Sequence, residues 1–217
     1  MKISVIEPRG EFIYGIGSDA VQHLELCGRT CYKSEDSITT GSADRFVKKI
    51  CRNRHESVLE HASATARIVC SRAASHQLVR HRIGAYSQES QRYVNYARKG
   101  YEVICPPSWN VRPGVYDVEQ MPGGDLYSET PNVTMLALSF RSYENALKDG
   151  RPEDARYFLP NACKTEVVVT YNFRTWRHIF RERALNSHAQ WEIRGIMLGL
   201  YETLLAEYPA VFDDLQP

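Results

Sequence analysis

Residues Arg80-His81-Arg82-Ile83-Gly84-Ala85-Tyr86-Ser87-Gln88-Glu89-Ser90-Gln91-Arg92-Tyr93 concentrate groups that bind anions and flat heterocycles. Arginine presents a rigid donor fork that matches a phosphate or a pair of carbonyl oxygens. Gln88 and Gln91 add amides, and Ser90 adds a hydroxyl. Such a set suits a ligand carrying both phosphate and a heterocycle. A second group lies near 174–183. Trp176, Ile179 and Phe180 recur at helical spacing and draw an apolar stripe on a helix predicted over 172–184. Arg183 falls three residues past Phe180, on that stripe. A charge there must be paired, must snorkel, or must face a polar pocket. Arg174, Arg177, His178 and Arg181 take the opposite face, where Arg177 and Arg181 read as solvated.

The elements that must position these groups follow from periodicity and punctuation. Residues 2–7 alternate as a strand. Ser18-Asp19 opens a helix with Ala20, Leu24 and Cys27 on one face. Ser42 or Asp44 caps a second helix running to about Arg54, with Phe46, Ile50 and Cys51 inward. A strand is predicted over 62–70, a helix from Ser71 to Arg82, and then a motif loop to Tyr96. Glu102–Cys105 is strand-like. The proline- and glycine-rich stretch 106–131 reads as a surface loop or an insertion. Helices follow over Thr134–Lys148 and Pro152–Phe158, then a buried strand over Glu166–Tyr171, then helices over 172–184 and 188–207. The expected fold class is α+β: one domain over 1–217, with a small, mainly antiparallel sheet surrounded by helices.

Composition narrows the function classes. A chain of 217 residues can bury a real core. A formal net charge of +1 offers no broad field for DNA, RNA or a membrane surface. No segment has the apolar length of a membrane span, and the first residues lack a signal-peptide stretch. The six cysteines, 27, 31, 51, 70, 105 and 163, form no dense framework, so reduced thiols in the cytoplasm are expected. Cys27 and Cys31 lack the second pair of a zinc site. His55-Glu56-Ser57-Val58-Leu59-Glu60-His61 lacks the i, i+4 histidine pair of zinc proteases, which leaves packing histidines as the plain reading and no metal site expected.

Arg80-His81-Arg82, seven residues, then Ser90 resembles the signature of the flavin-dependent thymidylate synthases. Three further blocks match in family order. They are His55-Glu56-Ser57 with Glu60-His61, then Ala155-Arg156 with Leu159-Pro160, and Ala189-Gln190-Trp191-Glu192-Ile193-Arg194 after an upstream arginine. Together they span about residues 55–194 and cover most of the chain. The resemblance implies an enzyme that converts dUMP to dTMP in nucleotide biosynthesis. Its carbon donor is methylenetetrahydrofolate, its reductant NADPH, and its hydride carrier a bound FAD. It also implies a homotetramer with active sites shared between subunits.

Carried over residue by residue, Gln77, Leu78, Val79, Arg80, Gln88, Glu89, Ser90, Gln91, Arg92 and Arg156 match dUMP-binding positions, Arg156 being reached from a neighbouring subunit. Ser57, Arg80, His81, Arg82, Gln88, Asn172, Phe173, Arg174 and His178 match FAD-contacting positions. Arg183 matches the catalytic arginine that polarises uracil. Gln88 stands where many members have glutamate, so Glu89 either substitutes or faces solvent. Arg181 competes with Arg183 for the uracil-facing role, because the spacing to Ala189 is one residue longer; the apolar stripe favours Arg183. Two other readings stay open. One is a non-catalytic nucleotide- or RNA-binding protein using the arginines and Tyr86, Tyr93, Tyr96 and Tyr101. The other is a flavoenzyme of the same fold acting on another pyrimidine nucleotide.

Overall fold

The computed structural model describes residues 1–17 and 19–215. Along the chain, β1 (Lys2–Val5) and β2 (Arg9–Tyr14) precede α1 (Ala20–Thr30) and α2 (Ser42–Arg52). β3 (Ser63–Ser71) runs directly into α3 (Arg72–Leu78), and β4 (Ala85–Gln88) lies inside the arginine-rich motif. α4 (Tyr96–Lys99), β5 (Tyr101–Val103), β6 (Gly114–Asp117), β7 (Glu119–Gln120) and β8 (Leu126–Tyr127) lead to α5 (Pro131–Asp149) and α6 (Pro152–Ala155). β9 (Lys164–Asn172) passes into α7 (Phe173–Ile179), a π-helical turn over Phe180–Leu185, α8 (Trp191–Glu207) and α9 (Pro209–Phe212). The mixed helix-and-sheet class is as expected. Ser18 lies outside the described residues, and Asp19 precedes α1 without a side-chain cap.

Contacts sort the chain into two compact units, with the chain passing between them within β3, α3, β4 and β9. The first unit comprises 1–8, 69–77 and 88–167. Its sheet has the order β5-β1-β6, with β1 parallel to β5 and antiparallel to β6. Val133, Leu136, Ala137, Phe140 and Tyr143 form one buried face of α5 at helical spacing. Tyr101 stacks on Phe140 with ring centroids 4.3 Å apart. Burying such a side chain contributes roughly 1.5–3 kcal/mol. The stretch 106–131 is not an open loop. β6 pairs with β1 from Lys2↔Asp117 to Val5↔Gly114, and β7 pairs with β8. Its prolines and glycines mark the turns between strands too short to show a period.

The second unit comprises 9–68, 78–87 and 168–217. Strands β2-β3-β9-β4 supply its sheet. The valine run of β9 predicted a strand buried throughout, but burial alternates: Val167 and Val169 are buried and Val168 is half-buried. Trp176 is fully buried, stacks on Phe180 at 5.4 Å, and donates its indole N–H to the Ala64 carbonyl at 3.1 Å. Ser42 does not cap α2, because Gly41 holds that position at φ +75°. The Ser42 hydroxyl instead donates to the buried Glu25 carboxylate at 2.7 Å, and Glu25 also takes Arg29 at 2.9 Å.

The solvated reading of Arg177 is wrong. Its side chain is 0% exposed. It donates to Glu56 at 3.0 Å, to Asp214 at 2.6 and 2.8 Å, and to the Val211 carbonyl. Arg181 is 43% exposed and also reaches Glu56 at 3.0 Å. Burial raises the Glu56 carboxyl, but hydrogen bonds and charge from Arg181 and Arg177 outweigh it and hold the group below the usual glutamate range. Burial likewise opposes, and Arg177 outweighs it, at Asp214. Both folded values are depressed, so the stability they contribute is present above the ordinary carboxylate range. It is lost as pH falls through the depressed values.

Arg177→Ala should therefore lower the urea midpoint by the equivalent of about 3–5 kcal/mol, because it leaves two carboxylates facing a void. A wild-type midpoint would show that the network carries little. The same deficit should shrink as the pH is lowered below the carboxylate range.

Candidate functional site

In the second unit, the motif residues sit on a turn between α3 and β4. Gly84 lets this turn lie against β9. A Cβ there would meet the Tyr171 ring at 2.1 Å and the Thr170 carbonyl at 2.9 Å. The Tyr86 hydroxyl lies 2.5 Å from the His81 carbonyl and 2.5 Å from the Tyr171 hydroxyl. Arg80 and Arg82 point to solvent, Leu78 is buried, and Val79 and His81 are half-buried. The His81 Nε2 accepts a hydrogen bond from the Arg183 Nε at 2.9 Å. The edge of the His178 ring meets His81 at 5.8 Å. Burial lowers the His81 pKa, and the charges of Arg183 and His178 lower it further. The ring is thus neutral at neutral pH, with its proton on Nδ1 and its Nε2 lone pair toward Arg183.

Arg183 is half-buried rather than set on the apolar stripe. The π-helical turn over Phe180–Leu185 widens the spacing, so Ala184 takes the buried place that helical projection gave to Arg183. Of the outcomes open to a charge there, it is the paired one. Its Nε proton is committed to His81.

A cavity of about 510 Å³ in the same unit is lined by Glu56, Glu60, Ile83, Asn172, Arg174, Thr175, His178 and Arg181. Asn172 ends β9 and caps α7, accepting the Thr175 N–H at 2.8 Å. Arg174 and Glu60 pair at 2.6 Å with both side chains about half exposed. Ser57 is exposed on the turn Glu56–His61. Phe173 is placed differently from a ligand contact: its ring is fully buried against Tyr208 and Phe212. Its N–H is bound to the Ala62 carbonyl at 2.8 Å.

The remaining candidates belong to the first unit. Gln77 is half-buried on α3. The Gln88 amide donates to Ser75 at 3.0 Å and to Thr165 at 3.4 Å. The solvent alternative for Glu89 falls, since its side chain is 17% exposed and pairs with Lys164 at 3.3 Å. The Ser90 Oγ accepts the Arg92 N–H at 3.3 Å, and Gln91 is buried beside it in sequence. Arg92 and Arg156 converge on one residue: Arg92 reaches the Glu153 carboxylate at 3.4 Å and Arg156 its carbonyl at 3.1 Å.

Sequence reasoning missed the supports of these groups: Tyr86, Tyr171, Lys164, Glu56 and Glu153. Most of their contacts join distant segments, as Tyr86 with Tyr171, Lys164 with Glu89, Glu56 with Arg177 and Glu153 with Arg92, while the contacts of Tyr86 with His81 and of Glu153 with Arg156 are local. Burial pushes the Cys51 and Cys105 thiols up to about 11 and Cys163 up to about 12. Thiols held protonated at neutral pH are poor nucleophiles. Among the described residues no cluster could hold a metal ion, and no helix is long and apolar enough to cross a membrane.

Solved structures share this arrangement of helices and sheets. One is a UMP/dUMP methylase, PolB, from Streptomyces cacaoi bound with 5-Br dUMP. It matches 97% of this chain and 95% of its own at 21% identity, with a TM-score of 0.73. Another is Thymidylate Synthase X (ThyX) from Helicobacter pylori with FAD and dUMP. It matches 95% of this chain and 98% of its own at 21% identity, with a TM-score of 0.72. At sequence level, the family model for thymidylate synthase complementing protein matches residues 17–210. The flavin-dependent thymidylate synthase of Geobacter sulfurreducens is 37% identical, over 89% of this chain and 81% of its own. That of Corynebacterium efficiens is 38% identical, over 92% and 80%. The chain belongs to this family of enzymes, the flavin-dependent thymidylate synthases.

Gly84→Ala should destabilise the protein by about 1–3 kcal/mol, because the methyl has to displace the Tyr171 ring. Thermal unfolding checks this, and an unchanged melting temperature would show that the turn can move off β9 freely.

Proposed function

We propose that the protein methylates dUMP to dTMP at C5 of uracil, with methylenetetrahydrofolate as carbon donor and NADPH as reductant. The reading is carried by Arg183, whose guanidinium sits against neutral His81 in a chain of this family. Methylation at C5 needs electron density pushed onto that carbon. Arg183 supplies the push by polarising the uracil carbonyl edge and favouring ionisation at N3, through donors fixed in place before the reaction. A neutral His81 orients the guanidinium without adding a competing positive charge. Arg92 and Arg156 hold the phosphate, and Glu153 occupies their donors until the anion arrives. By the family resemblance, Gln77, Leu78, Val79, Arg80 and Gln88–Gln91 match further dUMP-binding positions.

The donors around the cavity of the second unit fit FAD. Arg174 is neutralised by a half-exposed Glu60, a pair worth little in water and so readily exchanged for a pyrophosphate. Ser57, Arg80, His81, Arg82, Asn172 and His178 of the same unit would hold the rest of the dinucleotide, with Phe173 supporting them from the core; Gln88 is assigned to FAD by the family resemblance alone. When bound, the flavin supplies the hydride. The working state is a homotetramer with shared sites, in the cytoplasm.

Four measurements test this reading. The protein supplied with FAD and freed of excess should keep oxidised-flavin bands that bleach with anaerobic NADPH and respond to dUMP. A protein that holds no flavin would sink it. Arg183→Ala should abolish turnover and keep the flavin; near-normal turnover would remove Arg183 from the role. Arg92→Ala should weaken dUMP binding by about 10- to 100-fold. Unchanged affinity would count against a phosphate contact. Turnover should also fall on one acid limb as His81 gains its proton and loses Arg183. The folded pKa is lowered, so the midpoint lies below the ordinary histidine value of about 6.5; a midpoint above it would contradict the assignment.

A further inference from the structure

Tyr86 lies outside the residues that carry the family signature, yet its hydroxyl meets three groups. It lies 2.5 Å from the His81 carbonyl, 3.1 Å from the Leu78 carbonyl and 2.5 Å from the Tyr171 hydroxyl. A phenol has one proton to give. With carbonyls claiming it, the proton between the two phenols must come from Tyr171. The direction is thus set: Tyr171 donates to Tyr86, and Tyr86 donates to the turn. Tyr171 is 1% exposed, with its ring edge-on to Trp176 at 4.8 Å, so the chain of hydrogen bonds starts in the core. Gly84 lets the turn lie on the Tyr171 ring, and the Thr175 hydroxyl donates to the Ile83 carbonyl at 3.4 Å. His81 is held by its backbone at one end and, through Nε2, meets Arg183 at the other.

We propose that Tyr86 is a positioning residue for the Arg183–His81 pair, its hydroxyl fixing the backbone from which the imidazole reaches the guanidinium. The proposal rests on the reading of Arg183 as the uracil-polarising group. Burial raises both phenols above the ordinary tyrosine range, so neither ionises in the range where the enzyme works. The device is steric and directional rather than acid–base. Reacting groups displaced by about 1 Å can lose about 100-fold in rate, so a hydroxyl two steps from the substrate has leverage on turnover.

Tyr86→Phe keeps the ring and its packing and removes only the hydroxyl. In folded protein with labelled histidine nitrogens, wild type should show His81 as one tautomer, protonated on Nδ1, with a titration midpoint lowered by burial, Arg183 and His178 against the opposing charge of Glu182. In Tyr86→Phe the single tautomer should give way to a mixture, and the midpoint should move toward the ordinary value. In the enzyme loaded with FAD, kcat should fall about 10- to 100-fold while KM for dUMP stays within about threefold. A variant with the wild-type tautomer, titration and kcat overturns the proposal. Should Tyr86→Phe fail to fold, Tyr171→Phe takes its place. It frees the Tyr86 hydroxyl to turn between the two carbonyls and should move the same readouts less far, and no movement overturns the proposal. Should wild type make no dTMP, the Arg183 reading fails, while the histidine spectrum still decides whether Tyr86 holds His81.

Discussion

A guanidinium with no access to water must take its counterions into the core with it. Arg177 does so with Glu56, Asp214 and the Val211 carbonyl, and these come from two distant stretches of chain. The network ties the turn Glu56–His61 and the C-terminal residues to α7, the helix that carries Arg174 and His178. It also divides the basic residues of this region by availability. Arg177 is saturated and cannot turn to a ligand. Arg174 pairs with a half-exposed carboxylate, Glu60, and can exchange it for an anion, whereas Arg181 is itself exposed but shares the largely buried Glu56 with Arg177. Removing one partner of such a buried group costs more than the pair is worth against an apolar replacement. The arrangement therefore fixes geometry more than it adds net stability.

A second guanidinium is held differently: Arg183 donates to the His81 imidazole. In the proposed function its charge is directed at uracil; a carboxylate partner would dilute that charge, and a neutral imidazole orients it without that cost. The conditions that keep His81 neutral are burial and the nearness of Arg183 itself, so the pair maintains its own protonation state. The proposed phosphate site uses the opposite device. Arg92 and Arg156 are held by Glu153 through contacts that an incoming anion can replace.

The class of the fold was legible because long elements leave strong periods. The stripe Trp176, Ile179, Phe180 is buried as read, and α5 and α8 fall close to their expected spans. What failed did so for local reasons. A helical wheel shows one apolar face and so sends Arg177 to water, whereas α7 is also buried around Thr175 and Arg177. Arg183 was projected onto the stripe with a 3.6-residue turn that the chain does not use there. β4 carries no strand signal in the sequence because Ala-Tyr-Ser-Gln has no apolar alternation, and its neighbour β9 lies far off in sequence. The roles of single residues came from resemblance, since residue type and spacing name a phosphate-and-heterocycle ligand but not dUMP. The hydroxyl contacts of Tyr86 and the pairing of Lys164 with Glu89 depend on folded distances and leave no sequence pattern.

Methyl transfer to uracil is tested most directly by product analysis. The protein is incubated with FAD, NADPH, methylenetetrahydrofolate and dUMP, and the nucleotides are separated, with UMP offered in a parallel reaction. dTMP formed only when every component is present, and far faster than any methylated UMP, is the predicted result. Reduced flavin with dUMP recovered unchanged would contradict the account.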